Sequence, residues 1–252
     1  MDKVLELKNN NKKVGSIEIK NQTENSADLF FYGDIVSESW ISEWYEDDMC
    51  PKDVQKFLDE LEEVKNINIH LNSGGGSCNG GMAIYNQLKR YDCSITTYID
   101  GIAASIASVI AMAGDKIVMP ENALLMIHKP LTWSGGNADQ LRKDADILDT
   151  YQKSILSIYM TKTKEGITEE QINEMINKET WLTGKEAAEY FNIEIEEPLN
   201  IVNCTSDCFN NYKNIPQNKL SMVKKEPKNI VKQSLPVMDE ATRIMIERIN
   251  KL

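Results

Sequence analysis

Four short segments carry residue types that suit chemistry. Ser105 follows the strand-like run SITTYI, Gly101 and two alanines, and it opens a helix of small apolar residues. A serine at a strand-to-helix turn stands where free backbone N–H groups stabilise a developing oxyanion. Read without chemistry, the same GIAASIAS segment packs a helix tightly against a sheet. Ser108 is the rival nucleophile, one turn further in, where it is expected to be buried. The run Asn72-Ser73-Gly74-Gly75-Gly76 follows a short strand and can adopt positive φ with close backbone approach. Such a loop presents N–H groups to an anion, or lays a peptide alongside Gly74 and Gly75 as an added strand. It is not a phosphate-binding P-loop, because no Gly-Lys-Ser/Thr follows.

His128 ends the apolar run MIH and precedes Lys129-Pro130. An imidazole emerging at a sheet edge can act as general base; a satisfied core histidine is the alternative there. His70, in the middle of INIHL, reads as structural or solvent-facing. Glu179 precedes TWLT and a capped helix. A carboxylate at that point can fix a histidine tautomer, or it is one more surface acid among 39 Asp and Glu.

The elements that must position these groups follow from periodicity. VLELK and VGSIEIK alternate around NNNKK, predicting a small hairpin. LFFYGDI is a bulky strand ending in a turn. Residues 38–63 hold ten acids and two lysines, yet Val54, Phe57, Leu58, Leu61 and Val64 recur at helical spacing. Strands are expected at 67–71, 94–99, 116–119 and 123–127. Helices are expected at 82–88 and from Gly101 through Ala113. This alternation implies crossover connections and a largely parallel α/β sheet. A long helix over 137–159 carries Leu141, Ala145, Leu148, Tyr151, Ile155 and Ile158 on one face. Capping boxes at Thr168/Gln171 and Thr183/Glu186 open the next helices, before the strand IEIEE. Residues 201–235 are rich in Asn, Lys, Ser and Pro and read as a loosely ordered segment.

The chain has 252 residues, enough for one large domain with appendages. Its net charge of −11 argues against a sequence-independent hold on nucleic acid. That charge is uneven: residues 1–200 hold 19 basic and 34 acidic residues, and residues 201–252 hold 9 and 5. Five scattered cysteines and two histidines fit reduced thiols better than a disulfide framework or a zinc site. The uncharged run from Gly101 to Gly114 is too short to span a bilayer, and MDKVLELKNN has no signal-peptide core. The expectation is a cytoplasmic protein with no metal, no cofactor and no membrane partner.

In the order glycine turn, serine, histidine, acid, residues 29–198 resemble the ClpP-like serine peptidases, the proteolytic-subunit family of the Clp protease. LNSGGG is similar to the family turn Asn-Ser-Pro-Gly-Gly, and GIAASIAS resembles the nucleophile segment. MIHKP resembles the histidine segment, and ETWLTGKEAAEYF the segment of the third triad member. The resemblance implies a catalytic triad of Ser105, His128 and Glu179, with the N–H groups of Gly76 and Ile106 as oxyanion hole. It implies an α/β fold of the ClpP/crotonase type, a spiral of ββα units with the 137–159 helix as a protruding handle. It also implies homo-oligomeric rings, usually of seven subunits and stacked, a polypeptide substrate and an ATPase unfoldase as partner. Two departures stand out: Gly74 replaces the family proline, and Glu179 stands where Asp is usual. FFYGDI and ETWLTG look more like the phage and prophage branch, whose members process capsid or scaffold proteins. The expected organisation is an N-terminal hairpin extension (1–26), a peptidase domain (27–200) and a basic C-terminal extension (201–252). The competing readings are a general ATP-dependent Clp protease core, a crotonase-type acyl-CoA enzyme, and an assembly protein with a dead site.

Overall fold

The structure, a computed structural model, describes residues 3–9, 12–19, 26–37, 49–61, 64–198, 204 and 206–216. The acidic stretch 38–48 and the chain after residue 216 lie outside the described residues. Strands β1 (Lys3–Asn9) and β2 (Lys12–Ile19) pair antiparallel, forming the hairpin expected from their alternation.

The main sheet is built around parallel strands β3 (Ser26–Phe31), β4 (Asn66–Ser73), β5 (Ser94–Ala104), β6 (Lys116–Pro120) and β9 (Glu194–Glu196), in that order. Over most of β4 and β5 the side chains alternate: Ile67, Ile69, Leu71, Ile95 and Ile99 are buried, whereas Asn68, His70, Thr96 and Tyr98 between them are partly exposed, so one face of the sheet meets the core. Crossovers are made by α1 (Pro51–Glu60), α2 (Cys78–Arg90) and α3 (Ile106–Ala111). On α1 the helical stripe Val54, Phe57 and Leu58 faces the core.

The long strand β5 decides where the site forms. Thr96–Tyr98 pair with β6, whereas Ile102–Ala104 pair with β7 (Leu124–Ile127). One strand therefore has two neighbours on that side, and the change falls between Tyr98 and Ile102. The residues Gly101–Ala104 are strand, not the start of a helix as their small side chains suggest; the helix begins only at Ile106. Pairing with both β4 and β7 supplies the ladder that overrides the local preference. β7 in turn pairs antiparallel with β8 (Thr180–Thr183), placing Ile127 opposite Thr180.

The handle helix α4 (Ala138–Met160) starts at an Asn137 capping box. Its last turns are core, with Ile155, Leu156, Ile158 and Tyr159 buried. Its N-terminal half projects, leaving Leu141 and Ile147 exposed beside Leu131 and Trp133 of the preceding loop. Helices α5 (Glu169–Asn177) and α6 (Gly184–Tyr190) begin at the capping boxes of Thr168 and Thr183. Packing continues past residue 200. Cys204 and Phe209 are buried against Ile102, Ala104, Leu124 and Met126, joined by Trp181, Tyr212 and Ile215. The first part of the C-terminal extension thus covers the apolar face of β5 and β7.

Candidate active site

Ser105 sits between the end of β5 and the start of α3, with φ 55° and ψ −127°. For a residue with a Cβ this backbone is strained by about 1–3 kcal/mol, and such strain clusters at functional turns. Three bonds hold the turn. Ser105 N–H donates to Met126 O at 2.9 Å, continuing the β5–β7 ladder, and Ser108 N–H and Oγ both donate to Ser105 O. The rival Ser108 is fully buried, its Oγ also 2.7 Å from the Tyr159 hydroxyl. It is committed to the turn, whereas the Ser105 side chain faces a cleft.

His128 follows β7 directly. The β5–β7 pairing brings its Nε2 to 2.7 Å from Ser105 Oγ. Burial holds its pKa below the usual imidazole value, because the cation loses solvation; the charge of Glu179 acts in the opposite sense. The ring is therefore neutral near pH 7 and able to accept a proton. His70 is elsewhere, bonded to Asp100 at 2.8 Å and stacked between Phe30 and Tyr98. Its surroundings give it a structural role.

The glycine loop closes the other wall. Gly75 and Gly76 have φ of 105° and 139°, and a Cβ at Gly76 would stand 2.0 Å from Ile35 O. Gly75 O and Ser77 N–H both bond Ile35, so the intervening Gly76 N–H points away from that ladder. Ile106 is the first residue of α3, and its N–H is one of those a helix start leaves without an intrahelical acceptor. These are the two donors expected for an oxyanion hole.

Glu179 reaches the site by register. It follows α5 in a left-handed turn, φ 51°, just before β8; Ile127–Thr180 is the last pair of the β7–β8 register, with His128 the next residue on one side and Glu179 the next on the other. Its carboxylate, however, is held by other donors. Lys213 N–H reaches its two oxygens at 2.8 and 3.0 Å, Asn214 N–H reaches Oε1 at 2.6 Å, and Trp181 Nε1–H reaches Oε1 at 3.4 Å. Among the described residues no hydrogen bond joins Glu179 to His128.

Cys204 and residues 206–216 cross this site, a placement that no periodicity in their sequence signals. Cys204 Sγ lies 3.5 Å from Asn72 O, and buried Ser206 donates to Asp34 Oδ1. A 3-10 turn, Asp207–Asn211, leads to Tyr212. Its hydroxyl donates to Gly74 O, and its ring meets His128 edge-on at a centroid distance of 5.1 Å. The cavity left over Ser105 and His128 measures about 60 Å³, lined by Gly76, Cys208, Asn211 and Tyr212 among others. That is room for a few waters, not for an extended peptide. A larger groove of about 450 Å³ opens beside it, between Ser77, Leu131, Trp133, Ile147 and Tyr151. The pair Phe209 and Tyr212, three apart in a polar run, is the signal by which the crossing segment could have been found.

Comparison with known proteins identifies the family and the fold. A family model described as Clp protease matches residues 31–194. A Porphyromonas gingivalis ATP-dependent Clp protease proteolytic subunit is 34% identical over 137 residues, covering 53% of this chain and 60% of its own length. A Tropheryma whipplei proteolytic subunit 2 is 32% identical over 158 residues, covering 60% of this chain and 85% of its own. The solved structure of a ClpP1 mutant from Listeria monocytogenes is 24% identical with a TM-score of 0.56, and covers 68% of this chain and 91% of its own. The chain spans 60% of the length of the Porphyromonas relative, and the same share of one from Mesostigma viride.

Proposed function

The chain belongs to the Clp protease family, and from that premise we propose that it is a serine endopeptidase working through an acyl-enzyme. One observation carries the reading: Ser105, on a strained turn, has His128 Nε2 at 2.7 Å from its hydroxyl. His128 takes the Ser105 proton as Oγ attacks the substrate carbonyl. The tetrahedral oxyanion accepts from Gly76 and Ile106 N–H, and His128 then protonates the leaving amine. Water activated by the same ring hydrolyses the acyl-enzyme. Glu179 supports the imidazolium by its charge, and by a hydrogen bond once its carboxylate is released. The substrate lies as a strand along Gly74 and Gly75, with an apolar side chain in the groove by Leu131 and Trp133.

The exposed apolar residues of the projecting handle, Leu141 and Ile147, support packing against further copies in a homo-oligomeric ring or stacked rings. The segments FFYGDI and ETWLTG support a prophage role, with capsid or scaffold polypeptide as substrate. Among the described residues no helix is long and apolar enough to cross a membrane. The test is reaction with a fluorophosphonate followed by intact-mass measurement. A single adduct on Ser105, lost in Ser105→Ala together with hydrolysis of unfolded casein, is expected. A wild-type protein that never labels, even when the crossing segment is displaced, overturns the reading in favour of a crotonase-type or inactive protein.

A further inference from the structure

Residues 206–216 touch three parts of the machinery at once. Tyr212 occupies the carbonyl of Gly74, the acceptor that an added substrate strand would use. The same ring, with Cys208 and Asn211, reduces the space over Ser105 and His128 to about 60 Å³. Lys213 and Asn214 give their N–H groups to Glu179, whose carboxylate is thereby withheld from His128. Asn214 Nδ2 also donates to Lys178 O at 2.8 Å, fixing the turn that carries Glu179. We propose that residues 206–216 are an intramolecular inhibitory strap, which must lift before a polypeptide can enter.

The strap is fitted to this chain's own departures. Gly74 stands where the resembled family has proline, and a Cβ there would lie 2.1 Å from Ser206 Oγ and 2.5 Å from its Cβ. Ser206 is 1% exposed and bonded to Asp34, so it cannot swing aside. A side chain at position 74 and a seated strap are mutually exclusive. The strap also covers Ile102, Ala104, Leu124 and Met126, an apolar face that its lifting would open to a substrate. Inhibition by this strap adds to the peptidase reading and rests on it.

The test uses the full chain and measures the rate of fluorophosphonate labelling of Ser105. Gly74→Ala adds one methyl where Ser206 packs, and Tyr212→Ala removes the roof. Each is expected to label at least about ten times faster than wild type. Tyr212→Phe, which removes only the hydroxyl and preserves the packing, is expected to give a two- to five-fold increase. A synthetic peptide of residues 206–216 added to Tyr212→Ala is expected to slow labelling again. If Tyr212→Phe and Gly74→Ala, folded as judged by circular dichroism, label Ser105 no faster than wild type, the strap is not inhibitory although the peptidase reading stands. If no variant labels at Ser105, the peptidase reading fails and the strap fails with it.

Discussion

His128 and Glu179 flank Ile127–Thr180, the last pair of the antiparallel β7–β8 register, and among the described residues no hydrogen bond links them. The end of the sheet thus brings Glu179 near His128, and the N–H groups of Lys213 and Asn214 hold its carboxylate. If Glu179 serves His128 chiefly through its charge, Glu179→Gln removes that support and keeps the amide's bonding shape. The expected result is a fall in kcat/KM on the order of 10²-fold, within the range of general-base assistance. The acid limb of the pH profile should also move to lower pH, because the field that favours the imidazolium is gone. A profile unchanged in both respects would assign Glu179 a structural role only.

The pH dependence of the wild type follows from the burial of His128. Burial disfavours the charged ring, so its pKa lies below 6.5. The base is deprotonated and competent above that depressed value, and activity should be retained as pH falls through 6.5 and lost further down. Displacing Tyr212 returns solvent to the ring and frees Glu179, two changes that both raise the pKa. The acid limb of Tyr212→Ala should therefore lie at higher pH than that of wild type, as read from kcat/KM against pH. A limb that moves down instead would mean that Tyr212 is not what desolvates the ring.

Lys129 tests the nucleophile's partner from the other side. It is exposed beside His128, and a Ser–Lys dyad would need its amine at Ser105. His128→Ala should cost at least about 10²-fold in hydrolysis, and Lys129→Ala should stay within about two-fold of wild type. Retained activity in His128→Ala, lost in Lys129→Ala, would sink the triad.

Much of this site was legible because its parts are local. Ser105, His128 and the glycine loop each end a strand, and strand ends are marked by apolar runs that stop at small or polar residues. The Thr168 and Thr183 caps were equally readable, since their partners lie three residues away. The extent of β5 was not, because Gly101–Ala104 become strand only through pairing with distant β4 and β7. The handle's periodicity was real, yet periodicity does not say what covers a face, and only its last turns, from Ile155 onward, are buried in this chain's core. The strap was least legible. Its bonds run from Tyr212 to Gly74 and from Ser206 to Asp34, over 100 residues back, and its polar composition carries no period.

The strain at Ser105 separates nucleophile from scaffold. At φ 55° a side chain costs energy that glycine does not pay. Ser105→Ala and Ser105→Gly both lack the hydroxyl, so both should be inactive. They differ in that alanine keeps the strained Cβ, whereas glycine relieves it. Glycine also gains entropy in the unfolded chain, which offsets part of the relief. Ser105→Gly is expected to exceed Ser105→Ala in stability by about 1 kcal/mol, read as a higher denaturation midpoint at equal slope. Equal midpoints would mean that the turn relaxes without its side chain, and that the geometry bringing Oγ to His128 is not stored in the backbone.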